Sequence, residues 1–159
     1  MAVQVHIDLT YQLSVNAPFD AVLATLSHVP TSASFFPKVD QLVDLGDQSY
    51  RWEMAKIGVA QIHLQTIYAC RYTTDVQGKN ATVRWSPLPG VGNAQVQGHW
   101  AITGLKNGTQ LELGLQGDLT LPLPGLMKKV VAPVVEAEFE DLVDRYLDNL
   151  ITHFGGELG

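Results

Sequence analysis

The chain is poor in cysteine, in basic residues and in long apolar runs, and each shortage removes a class of function. A single cysteine, Cys70, in 159 residues excludes an intramolecular disulfide framework and fits a reducing compartment. In that setting the sequons at Asn80 and Asn107 are incidental. Ten lysines and arginines stand against sixteen aspartates and glutamates, a net charge of −6. General nucleic-acid binding draws its affinity from basic patches, and no RNP-like aromatic motif or basic run supplies one here. No apolar run approaches the ~18 residues needed to cross a bilayer. The opening MAVQVHIDLT lacks a basic head followed by an apolar block, so no secretory signal is expected and the protein is read as cytoplasmic.

Catalytic and metal signatures are equally scarce. His6, His28, His63, His99 and His153 are scattered, with no HExxH or paired ligand spacing. There is no GxSxG. The stretch PGVGNAQVQG misses GxGxxG, because Gln95 occupies the last glycine position and a strand pattern follows it. No metal and no cofactor is expected. Cys70 shares strand parity with Leu64 and Tyr68, so it is read as a buried, inert thiol.

What the chain does have is apolar content, 46% of its residues, enough for a substantial core. Most of it alternates with period 2. Val3, Val5, Ile7, Leu9, Tyr11, Leu13 and Val15 share one face of a first strand that is wet on the other. NAPFDAVLATLSHV then changes period. Asn16 reads as a helix cap, Pro18 suits a first turn, and Phe19, Val22, Leu23 and Leu26 form a stripe. A second short helix is expected over 31–36. Six further strands follow near 38–46, 49–57, 60–73, 80–86, 93–105 and 108–121, joined at turn-formers that include Gly58. Asn107-Gly108 is the strongest hairpin signal, because a tight turn of that kind needs positive φ. Short joints make neighbouring strands antiparallel.

A last helix is predicted over 134–154, with Phe139, Leu142, Val143, Tyr146, Leu147, Leu150 and Phe154 in one broad stripe and Asp141, Asp144 and Asp148 on the solvated side. Its 21 residues would span roughly 30 Å, enough to cross a seven-stranded sheet. The expected architecture is α+β: a curved seven-stranded antiparallel sheet around a long C-terminal helix, with two short helices after the first strand. Residues 1–154 are read as one ligand-binding domain and 155–159 as a tail.

In NAPFDAVLATLSHV, in FFPKVDQLVDLGDQSYRWEMAKIGVAQIHLQ, in the GHWAITGLKNGTQLEL hairpin and in the terminal helix, the chain resembles the START-like (SRPBCC) superfamily with its helix-grip fold. Within that group it is most similar to three branches: the carbon-monoxide-dehydrogenase-subunit-like, the polyketide cyclase/dehydrase-like and the coenzyme-Q-binding proteins. The resemblance covers about residues 3–154 and rests on shape, with no invariant catalytic motif. It implies a deep apolar cavity between sheet and helix that holds a lipid, a quinone or a polyketide-like molecule, in a carrier, sensor or chaperone. Only some members catalyse a reaction. A cyclase or aromatase would need several titratable groups converging in the cavity, and the inward parities offer few.

The candidate pocket wall follows from parity. Trp52, Met54, Tyr68, Trp85, Trp100 and Leu113 should face the helix, where ordinary core filling and a ring-lined cavity are the two readings. Tyr11, Tyr50 and Tyr68 are candidates for its few polar contacts. Met127, Val131 and Val135 are placed at the mouth. Glu136 falls within the apolar arc of the last helix. There a carboxylate either complements the positive helix end or faces the cavity as a ligand contact or base.

One stretch, LTLPLPGLMKKVVAPVVEAEF over 119–139, calls for a break. A helix continuous from Gly125 would set Lys128 about 20° from Val135 on the buried stripe and turn Leu126, Met127 and Val130 outward. A break near Pro133 would free 125–132 as a separate segment, packed on the sheet rim or acting as a lid over the cavity. Lys128 and Lys129 beside Leu126 and Met127 also resemble a small interfacial foot, a candidate contact with a membrane or an enzyme complex over 126–131.

Overall fold

The computed structural model describes residues 3–59 and 62–158. β1 (Val3–Val15) leads into α1 (Phe19–Ser27) and α2 (Val29–Ala33). Then come β2 (Val39–Gly46), β3 (Ser49–Met54), β4 (Ile57–Val59), β5 (Ile62–Leu64), β6 (Ile67–Gln77), β7 (Asn80–Pro87), β8 (Ala94–Leu105) and β9 (Gly108–Leu121). A 3₁₀ turn, Gly125–Met127, precedes the 26-residue α3 (Lys128–His153). Seven strands form one antiparallel sheet in the order β1-β9-β8-β7-β6-β3-β2. β1 and β9 pair without a register shift from Val3↔Leu121 to Val15↔Thr109. Their alternation puts Val3, Val5, Leu119 and Leu121 together on the helix side, all buried, each contributing about 1.5–3 kcal/mol of apolar burial.

The expected α+β helix-grip architecture is what the chain adopts, with local differences. The strands expected over 49–57 and 60–73 are each interrupted. Residues 57–59 and 62–64 leave the main sheet as a two-stranded ribbon, and Gly58 pairs with His63 inside it instead of making the joint. The ribbon is anchored by Leu64, buried in the cluster around Val3, Val5 and Leu121. The second helix begins two residues earlier than expected, at Val29. Neither Asn107 nor Gly108 has positive φ. Gly108 is instead demanded by space, since a Cβ there would run into the Val15 carbonyl.

Asn16 does not cap α1, whose N-cap is Pro18. Its side-chain amide instead donates to the carbonyls of Gly155, Gly156 and Glu157 at 3.0, 3.2 and 3.3 Å. α3 ends in a Schellman motif: Gly156 N–H reaches Ile151 O at 2.8 Å and Gly155 N–H reaches Thr152 O at 3.2 Å, with φ +85° at Gly155 and +99° at Gly156. Residues 155–158, read as a tail, thus turn back onto the end of β1, where Val15 and Glu157 form a bridge.

The expected break at Pro133 is absent. α3 runs through it as one helix, with the proline exposed. An internal proline costs about 3 kcal/mol. Val131 (0% exposed) and Val135 (1%) offset it, sitting one helical turn apart on either side and both buried against Val3, Val5 and Leu121. Lys128 is not buried by this continuity. At the first turn of α3 residues 128–130 are all exposed, and coverage of the stripe begins only at Val131.

Candidate ligand cavity

Between the sheet and α3 lies a cavity of about 90 Å³. Strand parity supplies its floor: Trp52 and Met54 from β3, Tyr68 and Tyr72 from β6, Trp85 from β7 and Trp100 from β8. β9 adds Leu113 and Leu115, and Gly117 leaves room where a side chain would stand. Phe139, Leu142, Val143 and Tyr146 of α3 form the roof, and Val29, Ser32 and Phe36 close the side.

Aromatic packing orders these walls. Phe36 stacks on Tyr146 with ring centroids 3.9 Å apart, and Trp52 lies nearly parallel to Tyr68 at 5.7 Å. Trp85 is admitted by Gly98 opposite it, where a Cβ would come within 2.7 Å of the indole. The wall carries few polar groups, and they are mostly paired. Ser32 Oγ and Tyr146 Oη share a 2.5 Å hydrogen bond, and Trp52 Nε1–H donates to Tyr72 Oη at 2.9 Å. Burial pushes the Tyr146 phenol up to about 12, with Ser32 and Trp100 opposing. Burial likewise holds Tyr68 and Tyr72 well above the usual phenol range. The titratable groups of the wall are therefore phenols that stay protonated and neutral at physiological pH.

Trp52, Met54, Tyr68, Trp85, Trp100 and Leu113, chosen by parity, all line this space. The other candidates stand elsewhere. Tyr11 is half-buried beside the C-terminal half of α3 and donates to Asp144 Oδ1 at 3.1 Å; burial and then that carboxylate raise its phenol to about 12. Val131 and Val135 are consumed in the solid apolar cluster with Val3 and Leu121, and half-buried Met127 packs against its edge. Glu136 is exposed, because the first turns of α3 are covered only on the side of Val131 and Val135. Consequently 125–132 does not lie over the cavity. Tyr50 packs edge-on against Tyr72 at 6.0 Å, outside the wall.

Phe36, Tyr72, Tyr146, Ser32 and Phe139 join the wall from outside the parity-based set. Tyr72 is open to the same reasoning, since it continues the series Tyr68, Cys70, Tyr72. Cys70 itself is fully buried, its thiol raised to about 12 by burial and its Sγ 3.2 Å from Val96 O. Among the described residues no three His, Cys, Asp or Glu side chains converge as metal ligands. A wider concavity of about 600 Å³ lies on the outer sheet face, floored by exposed polar groups such as Asp8, Arg84 and Gln97. The inner cavity, mostly apolar with a few placed hydroxyls, is the better match to a small-molecule site.

No protein-family model and no characterised protein sequence matches the chain. Solved structures do. A conserved protein from Geobacillus kaustophilus superposes with TM-score 0.65 at 13% identity, over 92% of this chain and 94% of that one. A STAR-related lipid transfer protein from Xanthomonas axonopodis gives 0.63 at 16% identity, over 92% and 85%. The Zhui aromatase/cyclase from Streptomyces sp. R1128 gives 0.53 at 18% identity, over 94% and 90%. At such identities the likeness concerns the backbone path. The chain has the START-like helix-grip fold.

Proposed function

We propose that this protein binds an uncharged, apolar small molecule between its sheet and α3, acting as a carrier, sensor or chaperone. The observation that supports this is the wall itself: aromatic and aliphatic side chains whose polar groups are neutral hydroxyls and indole N–H groups. The lipid transfer name of one structural neighbour agrees with it. A cyclase or aromatase, the activity named for another neighbour, needs converging acids or bases, and Glu136, the carboxylate considered for that role, is exposed outside the wall. A cytoplasmic location belongs to the same proposal and is supported by the single cysteine, held as a buried free thiol.

Size narrows the ligand. An apolar cavity of roughly 150 Å³ accommodates benzene, so about 90 Å³ suits at most one ring with slight yielding of the walls. A lipid, quinone or polyketide-like ligand requires the walls to part. The seam of α3 against α2 and the α2–β2 connection is suited to that, because side-chain links cross it: Ser32–Tyr146, Asn149 Nδ2–H to Phe35 O at 2.8 Å, and Lys38–Glu138 at 2.8 Å.

All three tryptophans of the chain line the cavity, so intrinsic fluorescence reports on it directly. Titration with a series from toluene to a short-chain quinone should produce saturable changes. An absence of saturable binding across the series would overturn the reading.

A second reading concerns the outer side of α3. Leu126 is 87% exposed, Val130 56% and Val134 42%, with Lys128 and Lys129 beside them. In a chain of net charge −6 this is a cationic, apolar foot suited to weak, reversible contact with an anionic membrane. Flotation with phosphatidylserine vesicles should exceed that with phosphatidylcholine alone. Equal flotation would remove the membrane and leave an enzyme complex as the competing occupant.

A further inference from the structure

The hydroxyls of the cavity wall are unequal. Ser32 and Tyr146 share one hydrogen bond at 2.5 Å, and Tyr72 is held as the acceptor of the Trp52 indole N–H at 2.9 Å. Tyr68 is different: no described residue hydrogen-bonds its hydroxyl. Yet among the described residues every side-chain nitrogen or oxygen that is sealed from solvent has a partner. The oxygen of half-buried Tyr68 therefore keeps open space against it, and Tyr68 is a residue of the cavity wall. Its direction is set by packing, since Trp52 lies along the ring at 5.7 Å with planes 12° apart. A phenol O–H inside an apolar chamber without an acceptor forgoes a hydrogen bond that a ligand can supply.

The remaining walls describe the rest of that ligand. Phe36, Trp52, Trp85, Trp100 and Tyr146 present ring faces and edges, which favour offset or edge-on packing of another ring. No charged side chain among the described residues lines the space, so a ligand with a formal charge would be buried without a counter-ion.

We propose that the cavity selects a neutral single-ring compound carrying a hydrogen-bond acceptor such as a carbonyl oxygen, with Tyr68 as the donor that reads it. This rests on the cavity being a ligand site and adds which ligands it prefers. Tyr68 then acts as a specificity residue, while Trp52 holds its ring in position.

The test uses benzaldehyde and styrene, which share a ring and differ in C=O against C=CH₂. Dissociation constants are measured for the wild-type protein, for Tyr68→Phe and for Tyr72→Phe. Tyr68→Phe should weaken benzaldehyde by about 3- to 10-fold and leave styrene within about twofold. In the wild-type complex the carbonyl stretch of bound benzaldehyde should lie at lower wavenumber than in an alkane solvent, a reading that needs no variant to fold. Equal effects on the two compounds, an unshifted carbonyl stretch, or an effect confined to Tyr72→Phe would each overturn the assignment of Tyr68. If both compounds bind but indifferently, the selection is wrong and the cavity reading stands. If neither binds the wild-type protein, both fall together.

Discussion

Phe36 lies flat on Tyr146, their planes 5° apart and their centroids at 3.9 Å, and the same tyrosine is hydrogen-bonded to Ser32. One residue of α3 thus holds both α2, through Ser32, and the connection that follows it, through Phe36. Tyr146→Phe keeps the stack and removes the hydroxyl. It should lower unfolding free energy by about 1 kcal/mol, read by urea denaturation, and loosen the seam enough for bulkier rings to bind. Phe36→Ala should cost about 3 kcal/mol and enlarge the cavity, with gain of binding for a two-ring probe that the wild-type protein excludes.

Pro133 should be a liability rather than a hinge. Its side chain is exposed, and the helix passes through it. Pro133→Ala restores a main-chain donor, partly offset by a more flexible unfolded chain, and should raise stability by about 1–2 kcal/mol without altering ligand affinity. A loss of affinity would contradict the separation of this turn of α3 from the cavity.

Alkaline pH should unfold the protein through groups that burial keeps protonated. Cys70 is raised from 9.0 to about 12, and Tyr11 and Tyr146 from 10.0 to about 12. In the unfolded chain these groups lose their protons first, so the unfolded state binds fewer protons and stability falls with rising pH. The contribution is complete below pH 9 and is lost between about 9 and 12. Urea midpoints from pH 8 to 11 should show the fall. Cys70→Ala should flatten its onset near pH 9, whereas Tyr11→Phe should act only above about 10.

How much of this can be seen in the sequence depends on what periodicity encodes. Alternation in β1 and β9 identifies the buried face, and it also selects Trp52, Tyr68, Trp85 and Trp100, because side-chain direction is a local property. Parity does not say how far along a strand the cavity reaches, which is why it groups Tyr11 with the wall although that residue meets Asp144 at the flank of α3. Helical projection has the same limit. It gives the azimuth of Glu136 but not whether anything covers that turn. The helix through Pro133 is hidden for another reason: the burial of Val131 and Val135 against β1 and β9 is tertiary, and it outweighs the local penalty of the proline. The β4–β5 ribbon lies within alternating stretches that carry no signal for leaving the main sheet.

The leading claim is that the space between sheet and α3 holds an apolar compound. A crystal structure of the protein purified from its own host, without added ligand, tests it most directly. Continuous density is expected for a neutral, ring-bearing compound enclosed by Trp52, Tyr68, Trp100 and Tyr146, within reach of the Tyr68 hydroxyl. An inner cavity without a compound, or a co-purified compound seated in the outer-face concavity at Asp8 and Arg84, would contradict it.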